Sequence, residues 1–163
     1  MKKSKITALS ILTGASFILA SCGTNPAYTT FCTSVTGISG NNTDWHLVIY
    51  LDVKACLSCC ENMEAWKELE AKLPQCGGVL SLWAPREDSA DVAVAMELEG
   101  LKTPVRVLGA EMVEALDWKD ARTPIKVLFD RECKPVRILG PSGGRAHSRH
   151  VIEQLIAEVC IEE

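Results

Sequence analysis

A chain of 163 residues, 47% of them hydrophobic and 23% charged, suits one domain with its own core and excludes intrinsic disorder. Seventeen basic against 21 acidic residues give a net charge of −4, which argues against nucleic acid as a partner. Eight cysteines are many for a reducing compartment, yet too few for a scaffold in which disulfides replace the core.

The first residues supply a location. Lys2, Lys3 and Lys5 form a basic start, and Ile6 to Leu19 is an apolar stretch short for a bilayer span but suited to a signal segment. Leu19-Ala20-Ser21-Cys22 then resembles the bacterial lipobox, which implies cleavage before Cys22 and acylation of that cysteine. The expected organisation is a lipoprotein signal peptide over 1–21, a flexible tether over 22–44 and a folded domain over 45–163. Export places the domain where disulfides persist. Removal of residues 1–21 takes away three lysines and no acid, so the basic count falls from 17 to 14 against 21 acids and the net charge becomes −7. This argues against a polybasic membrane patch, and the lipid alone is the expected membrane tie. Gly23 after the lipid cysteine, in place of an aspartate, favours the outer membrane in a Gram-negative cell. Gly23 to Asp44 is rich in Gly, Ser, Thr and Asn and reads as the tether, with Cys32 placed to clip it to the domain.

His46 to Val53 is a nearly continuous apolar run, as expected of a strand buried on both faces. After Cys56-Leu57-Ser58-Cys59-Cys60, a helix is predicted from Glu61 to Leu73, with Met63, Trp66, Leu69 and Leu73 on one side, stopped by Pro74 and Gly77-Gly78. Val79 to Trp83 reads as a strand, Ser89 as the cap of a helix ending near Gly100, and Val105 to Leu108 as a short strand. A helical stretch follows from Ala110 to about Leu116. Thr123 to Asp130 is a strand opened by proline, and the Arg131–Lys134 turn makes a hairpin with Pro135 to Leu139. From Ser148 onward Val151, Ile152, Leu155, Ile156 and Val159 recur at helical spacing. The order β-α-β-α-β-α-β-β-α predicts an α/β sandwich whose parallel strands lead into an antiparallel hairpin.

The sharpest motif is Cys56-Leu57-Ser58-Cys59 between a buried strand and a helix. A cysteine at a helix N-terminus is stabilised as thiolate by unpaired N–H groups and the helix dipole. A second cysteine one turn on can resolve a mixed disulfide. With this unit, and with Thr123-Pro124 opening the strand before the terminal hairpin and helix, the chain resembles the thioredoxin superfamily, in particular its membrane-tethered TlpA-like branch, over roughly residues 45–160. The 65 residues from Cys59 to Pro124 leave room for an extra strand–helix unit, as in that branch. The resemblance implies a thioredoxin-like sandwich with a central mixed sheet, and a cis bond before Pro124. It further implies that Cys56 is the attacking thiolate, Cys59 the resolving thiol, and Thr123 and Pro124 the substrate-facing loop. No dissociable cofactor is implied; electrons pass between protein thiol substrates and a membrane dithiol partner.

Lys54-Ala55, in place of the family's usual tryptophan, precedes Cys56, and Cys60 after the motif is unusual. Lys54 is a candidate for lowering the Cys56 pKa through its charge, and Asp52 and Glu61 are the candidates for a buried acid that manages its proton. Cys56 and Cys60 also form C-x-x-x-C, which resembles Sco-type copper proteins, with His147 and His150 as available ligands. A third reading is a non-catalytic thioredoxin-like module. Cys32, Cys76, Cys133 and Cys160 are expected to form structural disulfides, with three pairings open. With Cys22 acylated an odd number of cysteines remains, and Cys60 is the expected free thiol.

Overall fold

The computed structural model describes residues 25–39, 43–54 and 61–160, without the side chains of residues 38 and 39. The signal segment, Cys22, Cys56, Cys59 and Cys60 lie outside the described residues. The elements in chain order are α1 (Pro26–Ser39), β1 (Trp45–Tyr50), α2 (Met63–Lys72) with a 3-10 turn (Leu73–Cys76), β2 (Gly78–Pro85), α3 (Ser89–Leu98), β3 (Val105–Leu108), α4 (Ala110–Ala115), β4 (Ile125–Asp130), β5 (Pro135–Leu139) and α5 (Arg145–Val159).

One five-stranded sheet carries them in the order β3-β2-β1-β4-β5. β1 is parallel to β2 and antiparallel to β4; β2 and β3 are parallel, and β4 and β5 form the expected hairpin. Asp130 holds that hairpin's turn by accepting from the backbone N–H groups of Glu132 and Lys134, each at 2.9 Å. Alternation along β1 splits the core in two. Leu47 and Ile49 face α2, α3 and α5, whereas Val48 and Tyr50 face α1 and α4. β1 ends at Tyr50, so the expected strand is shorter: Leu51 still bonds to the Trp83 carbonyl, while Val53 is exposed in a turn.

Gly77 adopts φ +71° where the 3-10 turn closes, and a Cβ on Gly78 would meet Leu73 at 2.7 Å. The glycine pair thus both ends the helix and lets β2 start against it. α3 is helical throughout; it begins at Ser89 and its cap is Asp88, one residue before the expected one.

The tether expectation is corrected between residues 25 and 39. Tyr28, Phe31, Cys32 and Val35 stand at i, i+3, i+4 and i+7, so this Thr/Ser-rich segment carries an apolar helical stripe, and the stripe is buried. Asn25 accepts from the Ala27 N–H at 3.0 Å, and Pro26 occupies the first helical position, where its missing N–H costs nothing. Phe31 packs edge-on against Trp83 and Trp118 at 5.4 and 5.6 Å. Among the described residues, the folded unit therefore takes in Asn25 to Ser39 ahead of Trp45.

Among the described residues, two disulfides select one of the three open pairings: Cys32–Cys133 and Cys76–Cys160. The first bolts α1 to the β4–β5 turn across 101 residues. Replacing Cys32 and Cys133 together by alanine is expected to lower unfolding stability by about 2–5 kcal/mol, read as a lower urea midpoint. An unchanged midpoint under oxidising conditions would show that the aromatic packing holds α1 unaided.

Candidate functional site

The carboxyl ends of β1 and β2 and the start of β4 meet at one end of the sheet, since Tyr50 pairs with both Trp83 and Ile125. Ligand sites of open α/β sheets lie at such strand ends. The chain leaves β1 there through Asp52 and Lys54, and the next described residue, Glu61, bonds to Lys126 of β4; Cys56 to Cys60 fall between them in the sequence, outside the described residues. Asn62 caps α2 by accepting from the Ala65 N–H at 3.1 Å. The Thr123–Pro124 bond, next to β4, is cis, as the resemblance requires. Asp52 joins the two segments: it accepts from the Thr123 hydroxyl at 2.7 Å and from the Lys54 N–H at 3.0 Å.

A groove of about 630 Å³ opens along Asp52, Lys54, Lys119–Pro124 and Pro141–Gly143. Asp52, Lys54 and Lys119 also wall a neighbouring cavity of about 330 Å³ that reaches Tyr50. Burial, reinforced by the negative charges of Asp52, Glu87 and Asp88, pushes the Tyr50 hydroxyl up to about 12, so it stays a neutral donor at physiological pH. A larger groove lies at the opposite end of the sheet beside Cys76–Cys160, remote from Pro124.

Glu61 is the buried acid of this end. It is fully buried, and its carboxylate accepts from five donors: Lys126 Nζ and the Ser142 N–H at 2.9 Å each, the Ser148 hydroxyl at 2.6 Å, Trp66 Nε1 at 3.2 Å and the Ser142 hydroxyl at 3.4 Å. Burial alone pushes the carboxyl upward. The Lys126 ammonium and the serine donors outweigh it and hold Glu61 below the usual carboxylate value, so it remains ionised. Lys126 gains one carboxylate, the Gly140 carbonyl at 3.4 Å and the face of Trp66 at 5.7 Å. Its loss of water is not fully made good, and burial pulls it below an ordinary lysine. The pair ties the residue after Cys60 to the strand after Pro124, and through Ser142 and Ser148 to the start of α5.

Of the residues singled out in the sequence, Asp52, Lys54, Thr123 and Pro124 are brought together around the groove, and Glu61 lies beneath it. His147 and His150 are exposed at the start of α5, and His150 faces Gln154 at 3.0 Å. Among the described residues no three His, Cys, Asp or Glu side chains converge as a metal site; the Cys56 and Cys60 of the copper reading lie outside them. Lys126, Ser142 and Ser148 escaped sequence reasoning, although Lys126 could have been found. It shares the core-facing parity of β4 with Leu128, a place for a charge only if it is paired.

No protein-family model and no curated protein matches the chain. Solved structures do. A putative thiol:disulfide interchange protein DsbE from Chlorobium tepidum superposes with a TM-score of 0.58 at 12% identity, over 76% of this chain and 84% of that one. A thiol:disulfide interchange protein from Bacteroides sp. gives 0.56 at 12% identity, over 75% and 76%. A putative protein disulfide isomerase from Bacteroides thetaiotaomicron gives 0.55 at 16% identity, over 77% and 79%. The fold is thioredoxin-like. At these identities the likeness is one of architecture; this chain carries the expected extra strand–helix unit, β3 and α4, ahead of the Pro124 strand.

Proposed function

We propose that the protein is an exported thiol–disulfide oxidoreductase that works through Cys56 and Cys59. What supports this reading is a juxtaposition: the C-x-x-C pair falls in the sequence between β1 and α2, two residues after Lys54, which with Asp52 lines the open groove bordered by cis-Pro124. The Cys56 thiolate attacks one sulfur of a substrate disulfide and releases the other as a thiolate. Cys59 then attacks the Cys56 sulfur, freeing the substrate as a dithiol and leaving Cys56–Cys59 oxidised. A dithiol protein of the membrane returns the electrons, and no dissociable cofactor is involved. Thr123 and Pro124 present the substrate, the Thr123 backbone pairing with the incoming chain, and Lys54 favours the Cys56 thiolate by its charge. Glu61, saturated by donors, holds the start of α2 in place and takes no proton in the neutral range.

The domain is carried on an acylated Cys22 in the bacterial cell envelope, facing the periplasm or outside, with the outer membrane favoured in a Gram-negative cell. Among the described residues no helix is long and apolar enough to cross a membrane. Insulin reduction together with thiol mapping by mass spectrometry tests the redox reading. A protein whose Cys56 and Cys59 never form a disulfide under graded oxidation does not work this way. Cys22→Ser is expected to move the protein from the membrane to the soluble fraction without changing insulin reduction.

A further inference from the structure

We propose that the groove beside Pro124 is held at the membrane surface and acts on disulfides carried by membrane-held proteins. The inference rests on the acylation of Cys22 in the reading above, and adds what the structure says about reach.

Only three peptide units separate Cys22 from Asn25, whose side chain is bonded to the domain. Fully extended, they span about 11 Å. A flexible tether running to Asp44 would have a root-mean-square span of about 25 Å and a limit of about 75 Å. That length is lost because α1 is part of the domain. Cys32–Cys133 bonds α1 covalently to the β4–β5 turn, and Tyr28, Phe31 and Val35 are buried, so the helix cannot peel away to lengthen the leash.

The attachment point also sets which side faces the lipid. The Asn25 side chain donates to the Ala115 carbonyl at 2.8 Å, and Trp118 Nε1 donates to the Tyr28 hydroxyl at 3.1 Å. The segment that receives α1 continues in the sequence through Lys119 and Arg122 to Thr123 and Pro124, which line the groove. The N-terminal end of α1 and the groove thus both meet the stretch from Ala115 to Pro124. A domain of this size is about 36 Å across, so a disulfide farther from the lipid than about 50 Å is beyond the groove whatever the domain's tilt.

The test uses the full-length acylated protein in phosphatidylethanolamine–phosphatidylglycerol vesicles. The substrates are lipid-anchored peptides carrying one disulfide either next to the bilayer or about 80 Å away on a helical spacer, with a soluble disulfide peptide as control. Near peptides are expected to turn over at least about tenfold faster than far ones. A Gly/Ser insert of about 40 residues between Thr24 and Asn25 is expected to raise the far rate to within about twofold of the near rate, leaving the soluble peptide unchanged. Equal near and far rates in the natural chain, or a far rate indifferent to the insert, overturn the inference while soluble turnover stays intact. No turnover of any peptide, or a mature mass without acyl chains on Cys22, instead overturns the underlying reading, and the inference with it.

Discussion

Cys56→Ser is expected to reduce disulfide exchange to background, and Cys59→Ser to accumulate a mixed disulfide between Cys56 and substrate. The asymmetry follows from the proposed roles. Without the attacking thiolate nothing starts, whereas without the resolving thiol the first bond forms and cannot be released from within. A gel run without reductant after mixing with substrate separates the two, since only Cys59→Ser gives the heavier species. Cys60→Ser should keep turnover within a few-fold of the natural chain. If Cys60→Ser is the inactive variant and Cys59→Ser is not, the working pair is C-x-x-x-C. Measurement of Cu(I) uptake, with and without His147→Ala and His150→Ala, then becomes the deciding experiment for the copper reading.

Glu61→Leu should be the most damaging single change to stability. It leaves the Lys126 ammonium without its carboxylate in a site where both side chains are fully buried, and breaking a buried pair from one side costs about 3–5 kcal/mol. For a domain of this size that is a drop in Tm of about 10–20 °C. Lys126→Met alone should also destabilise, by stranding the carboxylate, although its serine and tryptophan donors remain. The double variant Glu61→Leu/Lys126→Met is expected to recover most of the loss, because no buried charge survives. A double variant no better than Glu61→Leu would show that the contacts to Ser142 and Ser148, and not the charge pairing, hold this corner.

The same pair sets a pH dependence. The Glu61 carboxyl is held below its unfolded value, so the folded state binds fewer protons there and gains stability above the ordinary carboxylate range. That contribution fades as pH falls through the lowered folded value. The denaturant midpoint of the natural chain should fall from about pH 4.5 downward, and Glu61→Gln should flatten that limb.

The strands and helices from β1 to α5 were legible because each combines a clean hydrophobic period with a strong stop: Pro74 and Gly77-Gly78 after α2, the Asp130 turn between β4 and β5. The α1 helix was not. Its stripe of Tyr28, Phe31, Cys32 and Val35 is spread among threonines and serines that favour helices only weakly, and tertiary burial decides its conformation. Glu61 was legible as an acid near the motif. Its partners were not, since Lys126, Ser142 and Ser148 lie 65, 81 and 87 residues away and meet only once the sheet is assembled. The disulfide pairing was open for the same reason. Local sequence names the cysteines, and the sheet brings Cys32 to Cys133 and Cys76 to Cys160.

Along the chain these bonds interleave: Cys32, Cys76, Cys133 and Cys160 alternate between the two bridges. A protease that cuts once anywhere between Cys32 and Cys160 therefore frees no fragment. Two cuts in different intervals between those cysteines still leave one covalent molecule. The same connectivity keeps a nicked domain joined to the residues that precede Cys32, so backbone cleavage between helices does not by itself release the domain from its N-terminal segment.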